Sequence, residues 1–183
     1  MLQPLILFVH VAAAMGIVAG LGIEGLVLLQ LGRARVAEEL RAALDSFRYV
    51  QRVGAASLIA TVVSGIYLAT VFWHWQGPWI GTAFMLLVVI AVIGASMTGR
   101  GIAALGRAAA APSVVLRLDV ERSKPLLQAS FTMRLSLVLG IVFLMTVKPD
   151  LKLSLLVAAV ATAAGLVLGL PGLLGGSGHR EQT

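Results

Sequence analysis

The chain has 183 residues, of which 59% are hydrophobic and 12% are charged, and its mean hydropathy is +0.98. A soluble domain has about a quarter of its residues charged, so this composition excludes a soluble globular protein and predicts an integral membrane protein. The net charge of +6 does not indicate nucleic acid as a partner, because the lysines and arginines lie almost entirely in short connections between apolar segments.

Five apolar segments follow one another along the chain, at about residues 4–32, 53–73, 78–99, 126–147 and 151–171. Each can cross a bilayer as a helix, for which roughly 20 residues suffice. Continuous apolarity without alternation excludes the strands of a membrane barrel. We therefore predict an all-α, polytopic membrane bundle of about five transmembrane helices. A single domain is expected over residues 1–175, followed by a flexible tail over 176–183.

The first segment also has to be weighed as a cleavable signal peptide, because Ala12, Ala13 and Ala14 resemble a cleavage site. Residues 1–9 contain no lysine or arginine, and the apolar run continues to about Leu31. We expect an uncleaved first helix.

Basic residues set the predicted orientation. Residues 33–52 contain five arginines, and residues 100–124 contain four arginines and Lys124. On the opposite side only Lys148 and Lys152 are basic. The positive-inside rule therefore places both long loops in the cytoplasm, the N-terminus outside and the C-terminus in the cytoplasm.

The first cytoplasmic loop is predicted to be helical. Arg35 with Glu39 and Arg41 with Asp45 are spaced four residues apart, which supports a solvated helix continuing from the membrane. Two interpretations stay open for it, a charged helical hairpin at the lipid surface and a surface for a protein partner.

The second cytoplasmic loop contains two prolines, Pro112 and Pro125. These should break it into short helical pieces, with Ser123 capping the fourth span. Its basic residues are expected to meet anionic lipid headgroups.

Two charged residues lie inside apolar segments. Glu24 is about nine residues inward from Arg33, and Arg134 is about nine residues inward from Pro125, so both lie roughly 13 Å from the cytoplasmic boundary. Because either charge alone in hydrocarbon costs several kcal/mol, we predict an ion pair between Glu24 and Arg134. The alternative is that Arg134 extends to the headgroups and Glu24 is neutral.

His10 is predicted about 9 Å below the outer surface, within about 40° of the helix face that carries Glu24. Tyr67 and Met85 lie at comparable depth, and His74 and Met145 lie nearer the surface. Histidine with methionine or a second histidine is an axial set for haem iron and also suits copper. His10 is therefore a candidate metal ligand, with Tyr67, His74 and Met85 as candidate partners. The alternative is a hydrogen-bonded packing role, for example with Tyr67.

At "LFVHVAAAMGIVAGLG", "TVVSGIYLAT" and "FLMTVKPD" the chain resembles a family of bacterial predicted integral membrane proteins of unknown function. That family has a first-helix histidine followed by small residues, and its fourth span ends in Val-Lys-Pro. It is similar to the CopD-like copper-resistance membrane proteins and, more distantly, to the HemJ-type protoporphyrinogen oxidase. The resemblance, from about His10 to Asp150, implies a multi-pass protein of the bacterial inner membrane in which His10 binds haem b or lies near copper.

Three functions are compatible with these features. One is a redox or metal-handling membrane protein that uses His10, and another is a non-enzymatic accessory or scaffold bundle whose polar groups fix helix packing. A small-solute transporter has the least support, because nothing indicates a discontinuous helix at the membrane midplane. We expect no enzymatic activity. The lipid bilayer is the expected partner, with other membrane proteins or a second copy of the chain left open.

Overall fold

A computed structural model of the chain describes residues 2–33, 37–108 and 113–174, without the side chains of residues 32, 37, 108, 113–124 and 171–174. Within these residues only the connections 72–77 and 148–150 are not helical. The elements are α1 (Leu2–Arg33), α2 (Ala37–Val71), α3 (Pro78–Ile93), a π-helical turn (Gly94–Thr98), α4 (Gly99–Ala108), α5 (Ser113–Val147) and α6 (Leu151–Leu174).

The fold is an all-α membrane bundle, as predicted. Five of its helical segments are long and apolar enough to cross a bilayer, because α3, the π-helical turn and α4 form one continuous helical segment. The predicted tail over 176–183 and the predicted helix breaker Pro112 lie outside the described residues.

The first two helices are longer than the membrane is thick. With 32 and 35 residues, α1 and α2 measure about 48 and 52 Å at 1.5 Å per residue. The hydrocarbon core is only about 30 Å thick. The helical prediction for the first loop is confirmed, because α2 begins at Ala37 and continues without a break into the second span. In this loop Asp45 pairs with Arg48, at 3.2 Å, and Arg35 lies outside the described residues.

Small residues allow α1 and α2 to pack closely as an antiparallel pair. A Cβ atom on Gly20 would lie 3.8 Å from the Cα atom of Gly54, and one on Gly16 would lie 2.5 Å from Ser57 Oγ. Such small-residue seams let helix backbones approach in membranes, where dispersion contacts replace the hydrophobic effect as the driving force. This seam fixes the height of α2 relative to α1 and thereby the neighbours of His10.

Helix α5 lies at the centre of the bundle. Its buried Leu137, Val138 and Leu144 pack with residues of α1, α3 and α6 in one apolar cluster. A second cluster joins the end of α1 to the first half of α2, to α4 and to Leu127 of α5. The bundle therefore continues on the predicted cytoplasmic side as a smaller helical extension.

The predicted break at Pro125 and the predicted cap at Ser123 are wrong. Both residues lie inside α5, which is continuous from Ser113 to Val147. An internal proline removes one backbone hydrogen bond and costs about 3 kcal/mol. Packing of the buried Leu127 against α1, α2 and α4, just after Pro125, offsets this cost.

Candidate functional site

The structure brings Glu24 and Arg134 together inside the bundle. Arg134 Nη1 donates to Glu24 Oε2 at 3.0 Å, and Arg134 Nη2 donates to Glu24 Oε1. Arg134 Nε donates to the carbonyl of Ser130 at 3.3 Å, which holds the guanidinium against its own helix. The two side chains are only 11% and 10% exposed. This bidentate arrangement is the strongest geometry available to an arginine and a carboxylate, and it joins α1 to α5.

The π-helical turn lies beside this pair. A Cβ atom on Gly94 would lie 3.8 Å from Arg134 Cδ, so a glycine leaves room for the arginine stem. Four residues later Thr98 shares a hydrogen bond of 2.8 Å with Ser130, and both side chains are fully buried. π-Helical turns often occur at functional sites, and this one was not predicted from the sequence.

A cavity of about 230 Å³ borders the ion pair. Its walls include Gln51, Gly54 and Ala95, and the pair itself forms part of the lining. At about 30 Å³ per water, it has room for about seven waters. Because the pair carries no net charge and each carboxylate oxygen already accepts a bond, the cavity suits water or a small uncharged polar molecule.

His10 is hydrogen-bonded to α2. Its Nδ1 lies 3.1 Å from the carbonyl oxygen of Thr61 and 3.1 Å from Ser64 Oγ. A carbonyl oxygen can only accept, so Nδ1 carries the proton and Nε2 is left as the acceptor nitrogen. The Ser64 hydroxyl donates to the carbonyl of Ala60 at 2.6 Å, which leaves its lone pairs for His10. Gly65 makes room for the ring, since a Cβ atom there would lie 3.0 Å from His10 Cε1.

The space next to His10 is small. A cavity of about 40 Å³ is lined by His10, Met145, Phe84 and residues of α2. This is about the volume of one water, whereas pockets for drug-sized ligands and cofactors measure about 300 to 1,000 Å³. The cavity does not accommodate haem b. Its lining includes an imidazole and a thioether, those of His10 and Met145, which are side-chain types that copper accepts. Within the described residues there is no group of three or more His, Cys, Asp or Glu side chains that could hold a metal.

The residues predicted to bind a metal together with His10 lie outside its cavity. Tyr67 is 40% exposed and packs edge-on against Phe72, with ring centroids 6.2 Å apart. Met85 is 65% exposed on the surface of α3. His74 lies in the connection between α2 and α3 with a φ angle of 47°. None of the three lines the cavity at His10, and the hydrogen bonds expected from Tyr67 are made with Thr61 and Ser64 instead.

Lys148 is a contact residue that the sequence did not single out for a structural role. Its Nζ lies 5.4 Å from the ring centroid of Trp73 and 5.7 Å from that of Trp79. The two rings meet edge to face at 5.5 Å. These cation–π contacts join the connection between α2 and α3 to the connection between α5 and α6. The signal was present in the sequence, since a lone lysine ends a span on the side where the tryptophans lie.

Comparison of the chain with protein-family models, with curated proteins and with solved structures finds no match. The resemblance to a membrane-protein family similar to the copper-resistance proteins therefore stays a prediction from the sequence motifs.

Proposed function

We propose that this integral membrane protein is a non-enzymatic accessory or scaffold bundle, in which the polar side chains inside the membrane hold the helices together. The observation that carries this proposal is that these polar side chains form hydrogen bonds between helices. His10 bonds to α2, Glu24 bonds to Arg134, and Thr98 bonds to Ser130. Across the residues that the structure describes, no buried side-chain nitrogen or oxygen lacks a hydrogen-bond partner.

These contacts join different pairs of helices at different depths in the membrane. The His10 bonds join α1 to α2 near the outer surface, and the Glu24–Arg134 pair joins α1 to α5 nearer the cytoplasmic side. The bond between Thr98 and Ser130 joins the third span to α5. Polar contacts between helices stabilise membrane proteins by about 1 kcal/mol each, and they also fix helix rotation, which uniform apolar faces leave undetermined.

The test compares the purified wild type with His10→Ala and with His74→Ala, a matched control on an exposed histidine. Visible absorbance and copper content by elemental analysis are measured together with thermal unfolding in detergent. The scaffold role predicts no haem absorbance and no stoichiometric copper in any of the three, with a lower unfolding temperature for His10→Ala alone. Stoichiometric haem or copper that disappears only in His10→Ala would refute it.

A copper-handling role for His10 is the second candidate, and one observation favours it. Histidines that ligate metals usually donate their other ring N–H to a carbonyl or carboxylate, as His10 Nδ1 does to Thr61. Met145 lines the same cavity and has a thioether. The family that the sequence resembles also has a first-helix histidine, which supports a copper-binding role for His10. Titration of copper(I) against a competing chelator tests this role. It predicts tight binding by the wild type, weakened in His10→Ala and in Met145→Leu but unchanged in Met85→Leu.

A further inference from the structure

A groove of about 560 Å³ runs between α1, α4 and α5. Its walls are mostly apolar, including Leu26 and Leu29, which are 61% and 60% exposed, and Phe131 of α5. Gly22 lines it too, and a Cβ atom there would meet nothing within 4 Å. Among the side chains that the structure describes, the polar members of the lining are Arg33 and Gln128. The groove is therefore an open apolar slot that also carries a cation.

Contacts of α6 locate this slot relative to the membrane. Gly169 packs on Ala129, at 3.3 Å for a Cβ atom built on the glycine. The exposed apolar face of α6 includes Leu170, next to Gly169, which places the level of Ala129 within the hydrocarbon. Phe131 lies just above this level.

Helix α1 crosses the same level along the slot. Gly25 lies against Phe131, at 2.9 Å for a Cβ atom built on the glycine, and Arg33 follows eight residues later. At 1.5 Å per residue Arg33 is about 12 Å nearer the cytoplasm than Gly25. The upper part of the slot thus faces acyl chains, and Arg33 lies at the depth of the headgroups.

The neighbouring face of α2 agrees with this placement. Asp45 and Arg48 are 74% and 58% exposed, and they belong to the part of α2 that packs beside the end of α1. Exposed charges of this kind lie in the headgroup layer or in water. Within the described residues Arg33 has no ion-pair partner, so its charge is available to a ligand at this depth.

We propose that the slot between α1, α4 and α5 binds one anionic phospholipid, with an acyl chain beside Gly22 and Leu26 and the phosphate at Arg33. An apolar wall that ends in a cation matches the apolar chain and anionic head of such a lipid. Basic residues near a membrane surface attract anionic lipid, and each one favours it by about fivefold. A helix of a partner protein or of a second copy would bury the slot without needing the cation.

Native mass spectrometry tests the proposal, using the full chain in micelles with equal amounts of phosphatidylglycerol and phosphatidylcholine. The wild type should retain one lipid, with phosphatidylglycerol preferred by about fivefold. Arg33→Gln should abolish the preference, and Arg107→Gln, a control on an exposed arginine of α4 that does not line the slot, should preserve it. An equal preference in the two variants would overturn the proposal.

Gly22→Phe tests the slot itself, because the new ring would occupy the acyl position. Gly81→Phe is the matched control, since Gly81 also has open space for a side chain but lies on α3 away from the slot. Lipid retention should fall several-fold in Gly22→Phe alone. Equal lipid retention in both variants would overturn the proposal. Loss of a dimer in Gly22→Phe with unchanged lipid retention would assign the slot to a second copy of the chain. If Gly22→Phe does not fold, the comparison of Arg33→Gln with Arg107→Gln decides.

Discussion

Replacing both members of the Glu24–Arg134 pair should destabilise the bundle by less than the sum of the two single replacements. Glu24→Gln leaves the guanidinium buried without its counter-ion, and Arg134→Gln leaves the carboxylate in the same position. In the double variant both charges are gone, and the two amides can still hydrogen-bond. Glu24→Gln is therefore electrostatic and nearly constant in volume, whereas Arg134→Gln also removes two heavy atoms from the side chain.

The magnitude follows from the burial of the pair. Breaking a buried ion pair by removing one partner costs about 3 to 5 kcal/mol. The cavity beside the pair admits water, so we take the lower end, about 3 kcal/mol for each single variant. The double variant should lose about 3 kcal/mol in total, from two or three hydrogen bonds at about 1 kcal/mol each. The single effects sum to about 6 kcal/mol, which leaves a coupling energy of about 3 kcal/mol.

Thermal unfolding in detergent, followed by circular dichroism, measures this coupling. For a chain of this size 1 kcal/mol corresponds to about 2 to 4 °C, so each single variant should unfold about 6 to 12 °C below the wild type. Asp45→Asn is the control, because it breaks an exposed pair and should change the free energy of unfolding by less than about 1 kcal/mol. Additive single effects would refute the reasoning.

The same unfolding assay checks four further predictions. His10→Ala should cost about 1 to 3 kcal/mol through its lost bonds to α2, and an unchanged unfolding temperature would contradict the bonded geometry. His74→Gly should stabilise by about 1 kcal/mol, because glycine adopts a positive φ angle without strain, and destabilisation would show that the turn is not strained. Gly165→Leu should destabilise by about 3 kcal/mol, since its Cβ atom would lie 2.9 Å from Met133 Cα, and tolerance would mean that α5 and α6 are further apart. Lys148→Met should cost about 1 kcal/mol, and the loss should disappear when both tryptophans beneath it are replaced by leucine.

The spans could be predicted from the sequence because a bilayer imposes a length on every apolar segment. The contact of Glu24 with Arg134 was also predictable, since the two residues lie about nine residues inward from Arg33 and Pro125, where the apolar segments begin on the basic side. Two charges in hydrocarbon have few alternatives to pairing.

The partner of His10 was not predictable in the same way. Tyr67 has the right depth, but it lies about 120° around α2 from Thr61, at 3.6 residues per turn. Helices that are apolar on all sides contain little information about which face turns inward. The seam of Gly16, Gly20 and Gly54 sets that rotation, and only the folded chain shows which glycines meet.

The continuous helix through Pro125 and the π-helical turn at Gly94 depend on tertiary packing. From the sequence alone, Pro125 predicts a helix break. In the bundle α5 continues through Pro125, and Leu127, two residues later, is buried. Gly94 leaves space for the Arg134 stem, a requirement that arises only once α3 and α5 are packed together. Local sequence patterns do not contain either contact.

Every proposal for this chain depends on five crossings of the bilayer with both basic connections on the cytoplasmic side. The chain has no cysteine, so a single introduced thiol can be labelled without background. Ser46→Cys places one on the exposed face of α2, and Gln76→Cys places one in the connection between α2 and α3. A membrane-impermeant maleimide applied to sealed vesicles that contain the protein with the connection 72–77 predicted to lie outside should label Gln76→Cys at once and Ser46→Cys only after lysis. The opposite pattern, or labelling of both before lysis, would contradict the arrangement.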